Sequence, residues 1–231
     1  MRDYTRRDER PVERKEEVKE EKKEEKPVED KKDEVLPTEV LSPIDVMAPS
    51  LPVDLPDVNG NPAIIDMVAR GVLKGTGEDK FEPDTTISRA MVTEVFMRIS
   101  RDKSINQNIE FTDVKADDWY NNSVKWAADK NIVTGFEDGS FKANQKVTIQ
   151  EFAAMLDRLI TKYNINLPVV NPVNRNDFEY INAWSRESVI RMVEFGLINL
   201  DENGKIDPNR EFKRVEIAEA LYKLIKFIEE N

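Results

Sequence analysis

"NIVTGFEDGSFKANQKVTIQE", residues 131–151, has two relatives inside the same chain: "GVLKGTGEDKFEPDTTISRAM" at 71–91 and "GLINLDENGKIDPNREFKRVE" at 196–216. The three align without gaps at offsets of 60 and then 65 residues. Gly75 falls on Gly135 and Leu200, Phe81 on Phe141 and Ile206, Pro83 on Ala143 and Pro208, and Ile87 on Val147 and Phe212. A register held through such a stretch marks an internal repeat, and the repeat has to be read before any single motif.

Each unit has the same grammar. A first helical stripe carries Ile65, Val68 and Val72 in unit one, Val124, Ala127, Ala128 and Ile132 in unit two, and Val189, Met192, Val193 and Leu197 in unit three. A Gly/Asp/Asn turn follows. The second stripe runs Val92, Val95, Phe96, Ile99, then Phe152, Met155, Leu156, Leu159, then Ile217, Leu221, Leu224, Ile228. The spacing is that of amphipathic helices with one apolar face, so each pair needs neighbours to cover it. Three helix-turn-helix units meet that need by burying their stripes against one another, which leaves three inter-unit grooves.

Outward from the repeats the texture changes. Residues 1–36 are dense in Lys, Arg, Asp and Glu, with almost no apolar side chain, and cannot offset their ordering entropy; a disordered linker or transient helix is expected. Residues 37–61 are proline-rich, which forbids a long helix, and read as a connector or a degenerate start of repeat 1. The repeats then occupy 62–104, 105–166 and 167–231. No stretch approaches the length of a membrane span, and the N-terminus MRDYTRRDER has no signal-peptide core, so any export signal is expected upstream.

Composition narrows the chemistry. The net charge of -11, from 35 Lys+Arg against 46 Asp+Glu, repels nucleic acid and anionic lipid except at local cation clusters. With no histidine and no cysteine, imidazole shuttles, thiol nucleophiles, disulfides and Cys/His metal sites are absent. No acid pair sits in a recognisable catalytic context, so a non-enzymatic role without cofactor is expected. The stretch NLDENGKIDPNR (199–210) nearly spells a calcium loop, but Arg210 stands where a bidentate glutamate is required, and no metal is assigned.

Unit two, FTDVKADDWYNNSVKWAADKNIVTGFEDGSFKANQKVTIQEFAAMLDRL (111–159), resembles the S-layer homology repeat of bacterial surface proteins. Phe111, Asp113, Val114 and Trp119 match its opening, Ile132, Val133 and Gly135 its turn, Asp138, Gly139 and Phe141 its Asp-Gly-x-Phe stretch, and Thr148 and Glu151 the start of its second helix. Units one and three look like divergent copies, with SRAM (88–91) and KRVE (213–216) at the arginine signature and Trp184 in place of Trp119. The resemblance implies a mainly α fold, a pseudo-three-fold spindle around a central three-helix bundle. It also implies non-covalent anchoring to a bacterial cell-wall polysaccharide, commonly an acidic or pyruvylated secondary polymer, or to peptidoglycan. An extracellular location, a monomeric module and no membrane insertion go with it.

The departures limit the site. The signature arginine persists as Arg89 and Arg214, but Ile149 replaces it in unit two, Leu200 replaces the turn glycine in unit three, and 51–60 (LPVDLPDVNG) lacks the opening Phe and Trp. At most two grooves are expected to be competent. A cation at a helix start opposes the helix dipole, so Arg89 and Arg214 are read as meeting an anion, for which a guanidinium is suited bidentately. Gly75, Gly135, Gly139 and Asp138 are read as glycan-binding residues that also shape the turn beside the arginines, and Gly204 is the counterpart of Gly139 in unit three. Ser88, Thr148, Glu151 and Glu216 read as helix caps and first-turn acids that brace the groove. Trp119 and Trp184 can stack on a sugar, although their place at the start of amphipathic helices favours the core; Trp126 reads as local packing. The competing reading is a degenerate module of the same fold that has lost glycan binding and serves structure or protein interaction.

Overall fold

The computed structural model describes residues 58, 60–76 and 80–230, all within one compact unit. The charged linker and nearly all of the proline-rich connector lie outside the described residues. Among those described there are six helices: α1 (Pro62–Ala69), α2 (Arg89–Ser100), α3 (Asn121–Asp129), α4 (Ile149–Lys162), α5 (Ala183–Glu194) and α6 (Arg214–Glu230). A short 3-10 turn, Arg175–Phe178, precedes α5. Strand-like pairing among the described residues consists of three isolated antiparallel bridges. The fold is therefore mainly helical, as the repeat pattern and the resemblance led one to expect.

Local signals start the helices where the sequence places them. Asn61 caps α1 by accepting from the amides of Ala63 and Ile64, with Pro62 in the first turn, where its missing N–H costs nothing. Ser88 caps α2 through the Met91 amide. Thr148 and Glu151 cap α4 reciprocally, each side chain taking the other's backbone N–H.

The helix starts also tie the repeats together. The Ile87 amide donates to the Phe212 carbonyl (3.0 Å), that of Phe212 to Val147 (2.7 Å), and that of Val147 to Ile87 (3.0 Å), closing a ring of three hydrogen bonds. One step further on, the amides of Arg89, Ile149 and Arg214 donate to the carbonyls of Gln145, Arg210 and Thr85. Those of Ala90, Gln150 and Val215 donate to Ala143, Pro208 and Pro83. A helix leaves its first amides without internal partners; here the loop of the next repeat supplies the acceptors, each time at equivalent positions.

Packing follows the same circular order. The first helix of each repeat lies on the second helix of another: α3 on α2, α5 on α4, and α1 on α6. The last pair joins the two ends of the repeat array through Arg70 Nη1 to Glu229 (2.7 Å) and Asn61 Nδ2 to Glu219 (3.1 Å). At the centre, the buried Phe152 ring stacks on Phe212 at 4.2 Å between centroids and meets Phe96 at 6.0 Å. One side chain thus joins apolar surfaces from all three repeats.

The 101–109 segment between the first two repeats is held by carboxylates. Asp102 accepts from Ser104 N (2.8 Å) and Oγ (2.6 Å) and pairs with Lys130 (3.2 Å), while Asp129 accepts from the amides of Asn106 and Gln107. Burial pushes the Asp102 carboxyl up, but the bonds from Ser104 and the Lys130 ammonium outweigh it and hold the group below its ordinary value.

Two outcomes follow. Phe152→Ala should lower the free energy of unfolding in urea by about 3–5 kcal/mol, the range for emptying a buried aromatic site. For Asp102, a depressed native pKa means stabilisation that is present above the unfolded value of about 3.9 and lost as pH falls through the native one. Wild type should therefore exceed Asp102→Asn in stability at pH 7, and the difference should shrink as the pH drops below about 4.

Candidate ligand grooves between the repeats

Arg89 and Arg214 occupy equivalent places, and both are buried, with 7% and 6% of their surface exposed. Arg89, the first residue of α2, crosses to the turn of repeat 2, where Nε donates to the Phe141 carbonyl (3.0 Å) and Nη2 to that of Thr134 (3.1 Å). Its guanidinium lies over the rings of Phe141 and Phe136, at 4.7 and 5.1 Å from their centroids. Arg214, the first residue of α6, makes the same crossing to repeat 1: Nε to Phe81 O (2.8 Å), Nη2 to Lys74 O (2.6 Å), and a guanidinium 4.4 Å from the Phe81 centroid. Burial lowers the proton affinity of both, and the field of Glu151 partly offsets this at Arg89, as that of Glu82 does at Arg214.

The anion expected to meet these arginines is not a carboxylate of the described residues. Two N–H groups of each fork go to loop carbonyls, and the positive charge faces aromatic rings. Each arginine is thus first a clamp between one repeat and the next, with the remaining N–H groups left for the adjoining groove.

Those grooves are alike in plan. A cavity of about 220 Å³ beside Arg89 is lined by Thr134, Gly135, Glu151, Arg158 and Trp184. One of about 190 Å³ beside Arg214 is lined by Lys74, Gly75, Glu94, Arg98 and Trp119. Every groove takes its arginine from one repeat, its turn and helix wall from a second, and its tryptophan from the third. Trp119 and Trp184 are 60% and 58% exposed, which corrects the expectation of core positions. They stand at the helix starts, where the chain is only entering its apolar stripe. The helix-period argument belongs to Trp126, which is fully buried as expected, with its indole nitrogen left without a hydrogen-bond partner.

The turn residues divide in two. Gly75 and Gly135 line the grooves. A Cβ on Gly135 would lie 2.5 Å from the Phe111 ring and 2.9 Å from the Ser140 carbonyl, so this glycine is required by close approach. Gly139 and Asp138 sit beyond the groove lining: Gly139 adopts φ 78°, and Asp138 accepts from Ser140 N (2.9 Å) and Oγ (2.6 Å), which hold its carboxyl below the usual range. They shape the turn. Asp113 fixes its far side by accepting from the amides of Phe141 (2.7 Å) and Lys142 (2.8 Å). In repeat 3 the Tyr180 hydroxyl serves instead, accepting from Ile206 N and donating to Ile206 O.

Of the predicted bracing residues, Ser88, Thr148 and Glu151 cap their helices as described. Glu216 accepts from the Lys213 amide (2.8 Å) and pairs with Arg210. The third equivalent place has no clamp, because Ile149 is buried apolar surface. There Lys223, from the helix wall, donates to Gly196 O (2.7 Å) and Asn199 Oδ1 (3.3 Å). Lys223 is the counterpart of Arg98 and Arg158, a cationic position that the reading of the sequence passed over. Its signal was available at the same offsets of 60 and 65 residues, in the residue just before Ile99, Leu159 and Leu224 of the apolar stripe.

The family model for the S-layer homology domain matches three segments, 54–90, 110–153 and 180–218. An amylopullulanase of Thermoanaerobacterium thermosulfurigenes is 27% identical over 75% of this chain and 9% of its own length. A surface layer protein of Brevibacillus choshinensis is 34% identical over 40% of this chain and 9% of its own. A cellulosome-anchoring protein of Acetivibrio thermocellus is 25% identical over 62% and 33%. The chain thus spans a third or less of the length of these relatives. With three matched segments covering more than half of its residues, one on each helix pair, the chain belongs to the S-layer homology domain family.

Proposed function

We propose that this chain is a non-catalytic cell-surface anchoring module that binds bacterial cell-wall glycan in the Arg89 and Arg214 grooves. The observation that carries the reading is the twofold recurrence of one constellation: a buried arginine, a turn glycine and an exposed tryptophan lining a cavity of about 190–220 Å³. A solvent-facing indole beside polar N–H and C=O groups is the arrangement that takes an amphipathic ring, apolar on its face and polar at its edge. The guanidinium edge left after clamping favours an acidic substituent. The printed names of the relatives, a surface layer protein and a cellulosome-anchoring protein, support an anchoring role at the cell surface. No helix among the described residues is long and apolar enough to cross a membrane, in keeping with attachment through the wall polymer.

The third place, with Ile149 for the arginine, does not take part. Its loss keeps alive the rival in which the whole module serves protein interaction, and binding decides between them.

Co-sedimentation of the protein with purified Gram-positive sacculi, before and after mild acid extraction of the secondary polymer, should show pelleting that extraction abolishes. Pelleting that survives extraction would assign peptidoglycan as the ligand, and a folded protein that stays in the supernatant of both preparations would refute anchoring. Because both indoles are exposed, Trp119→Ala with Trp184→Ala should leave the circular dichroism unchanged and weaken pelleting about tenfold or more, given ~1 kcal/mol or so per lost aromatic contact. Arg89→Lys should keep the charge but lose the two-carbonyl clamp, and amide exchange across 134–141 should accelerate about tenfold while α6 is unaffected.

A further inference from the structure

The two competent grooves are alike in shape but differ in how their second cation is held. Arg98 and Arg158 stand at the same place in the repeat, on the helix wall facing Arg214 and Arg89. Arg98 is committed: Nη2 lies 2.9 Å and Nε 3.0 Å from the Glu94 carboxylate, one turn earlier, and Nη1 donates to Val72 O. At the position equivalent to Glu94, the Arg89 groove has Ala154. Arg158 consequently has no carboxylate partner among the described residues, and its one hydrogen bond is a long contact from Nη1 to Ile132 O at 3.4 Å.

The remaining charges of the Arg89 groove do not fill that gap. Glu151 spends Oε2 on Thr148 N and Oγ1 and receives Gln145 at Oε1, so it serves the helix cap. Arg89 is buried and spends two N–H groups on loop carbonyls. Arg158 and Arg89 repel one another, and that field lowers the proton affinity of Arg89. The cavity thus sets two guanidinium groups against the single carboxylate of Glu151, whose oxygens are held at the helix cap, and the positive charge left over is matched by an anion from outside.

We propose that Arg158 makes the direct contact with the acidic group of the bound glycan in the Arg89 groove, and that Glu94 withholds Arg98 from that task in the Arg214 groove. This rests on the anchoring function proposed above. The Arg89 groove is thereby the acid-specific one, with Arg89 positioning the turn and Arg158 supplying the charge. The Arg214 groove reads the sugar ring through Trp119 and Gly75. Lys74 brings a further cation to its rim; like Arg158 it is exposed, but its hydrated ammonium on a flexible stem is a less oriented partner than a planar guanidinium.

The test is co-sedimentation of the full chain with purified sacculi that retain their wall polymer, across a series of NaCl concentrations. Arg158→Ala should raise the half-saturating sacculus concentration about tenfold or more and flatten its salt dependence, the effect of one lost charge-assisted hydrogen bond. Arg98→Ala should change binding by less than about twofold, as expected for a side chain engaged with its helix neighbour. Glu94→Gln, which frees Arg98 without altering shape, should tighten binding several-fold and steepen the salt dependence. All three sites are on the helix surface, and unchanged circular dichroism would exclude misfolding. If Arg158→Ala binds as wild type while Trp184→Ala does not, the anchoring reading stands and the role of Arg158 falls. Equal losses from Arg98→Ala and Arg158→Ala would overturn the asymmetry of the grooves. Wild-type protein that does not pellet would refute the anchoring reading itself and this inference with it.

Discussion

Everything in the module hangs on the demand that the first amides of three helices find acceptors. An α-helix cannot satisfy them internally, and burying them unpaired costs on the order of 1–3 kcal/mol each. Here the first amides of α2, α4 and α6 reach carbonyls of the next repeat's loop, and just ahead of the helices the ring through residues 87, 147 and 212 closes in the opposite sense, each donor finding a carbonyl of the preceding repeat. Ser88 and Thr148 each take one later amide of their own helix, but the first two helical amides are met only by another repeat. That single constraint places Arg89 against repeat 2 and Arg214 against repeat 1, and so determines where the grooves lie.

The grooves are by-products of that closure. A guanidinium at the first position of a helix is unfavourable toward the helix dipole, and here it is retained where it can span two carbonyls of the adjoining turn and lie against phenylalanine. The third junction shows the alternative. With Ile149 at that position, the apolar side chain is absorbed into the core, and Lys223 ties down the turn from the opposite wall. Anchoring the turn and presenting charge are therefore separable tasks, and different repeats divide them differently.

Much of this could be read in the chain itself. The equivalence of Gly75 with Gly135 and of Phe81 with Phe141 followed from register alone, as did the helix caps at Ser88 and Thr148, because these are local chemistry repeated at a fixed interval. The exposure of Trp119 and Trp184 was not legible: a periodic stripe says which face is apolar but not where the neighbouring repeat stops covering it. Arg158 and Arg98 recur with Lys223 at the repeat offsets, but their place in the grooves was not legible, for a related reason. An arginine on a helix looks like a solvated charge until the fold places a second arginine, from a repeat far away in sequence, across a cavity from it. The split between Gly135, held by close approach, and Gly139, held by a positive φ, also needed coordinates, since both read simply as turn glycines.

The seam between α1 and α6 bears on the order in which the molecule comes into being. Asn61 meets Glu219 across 158 residues, and Arg214 reaches Phe81 and Lys74 across 133 and 140. During synthesis from the N-terminus the Arg89 junction is available as soon as repeat 2 has left the ribosome, whereas the Arg214 junction must wait for the last helix. Loop-closure entropy makes such distant contacts late in folding as well. The first repeat, although made first, is completed last, and a nascent or truncated chain without α6 has its α1 face and one groove open to the surroundings.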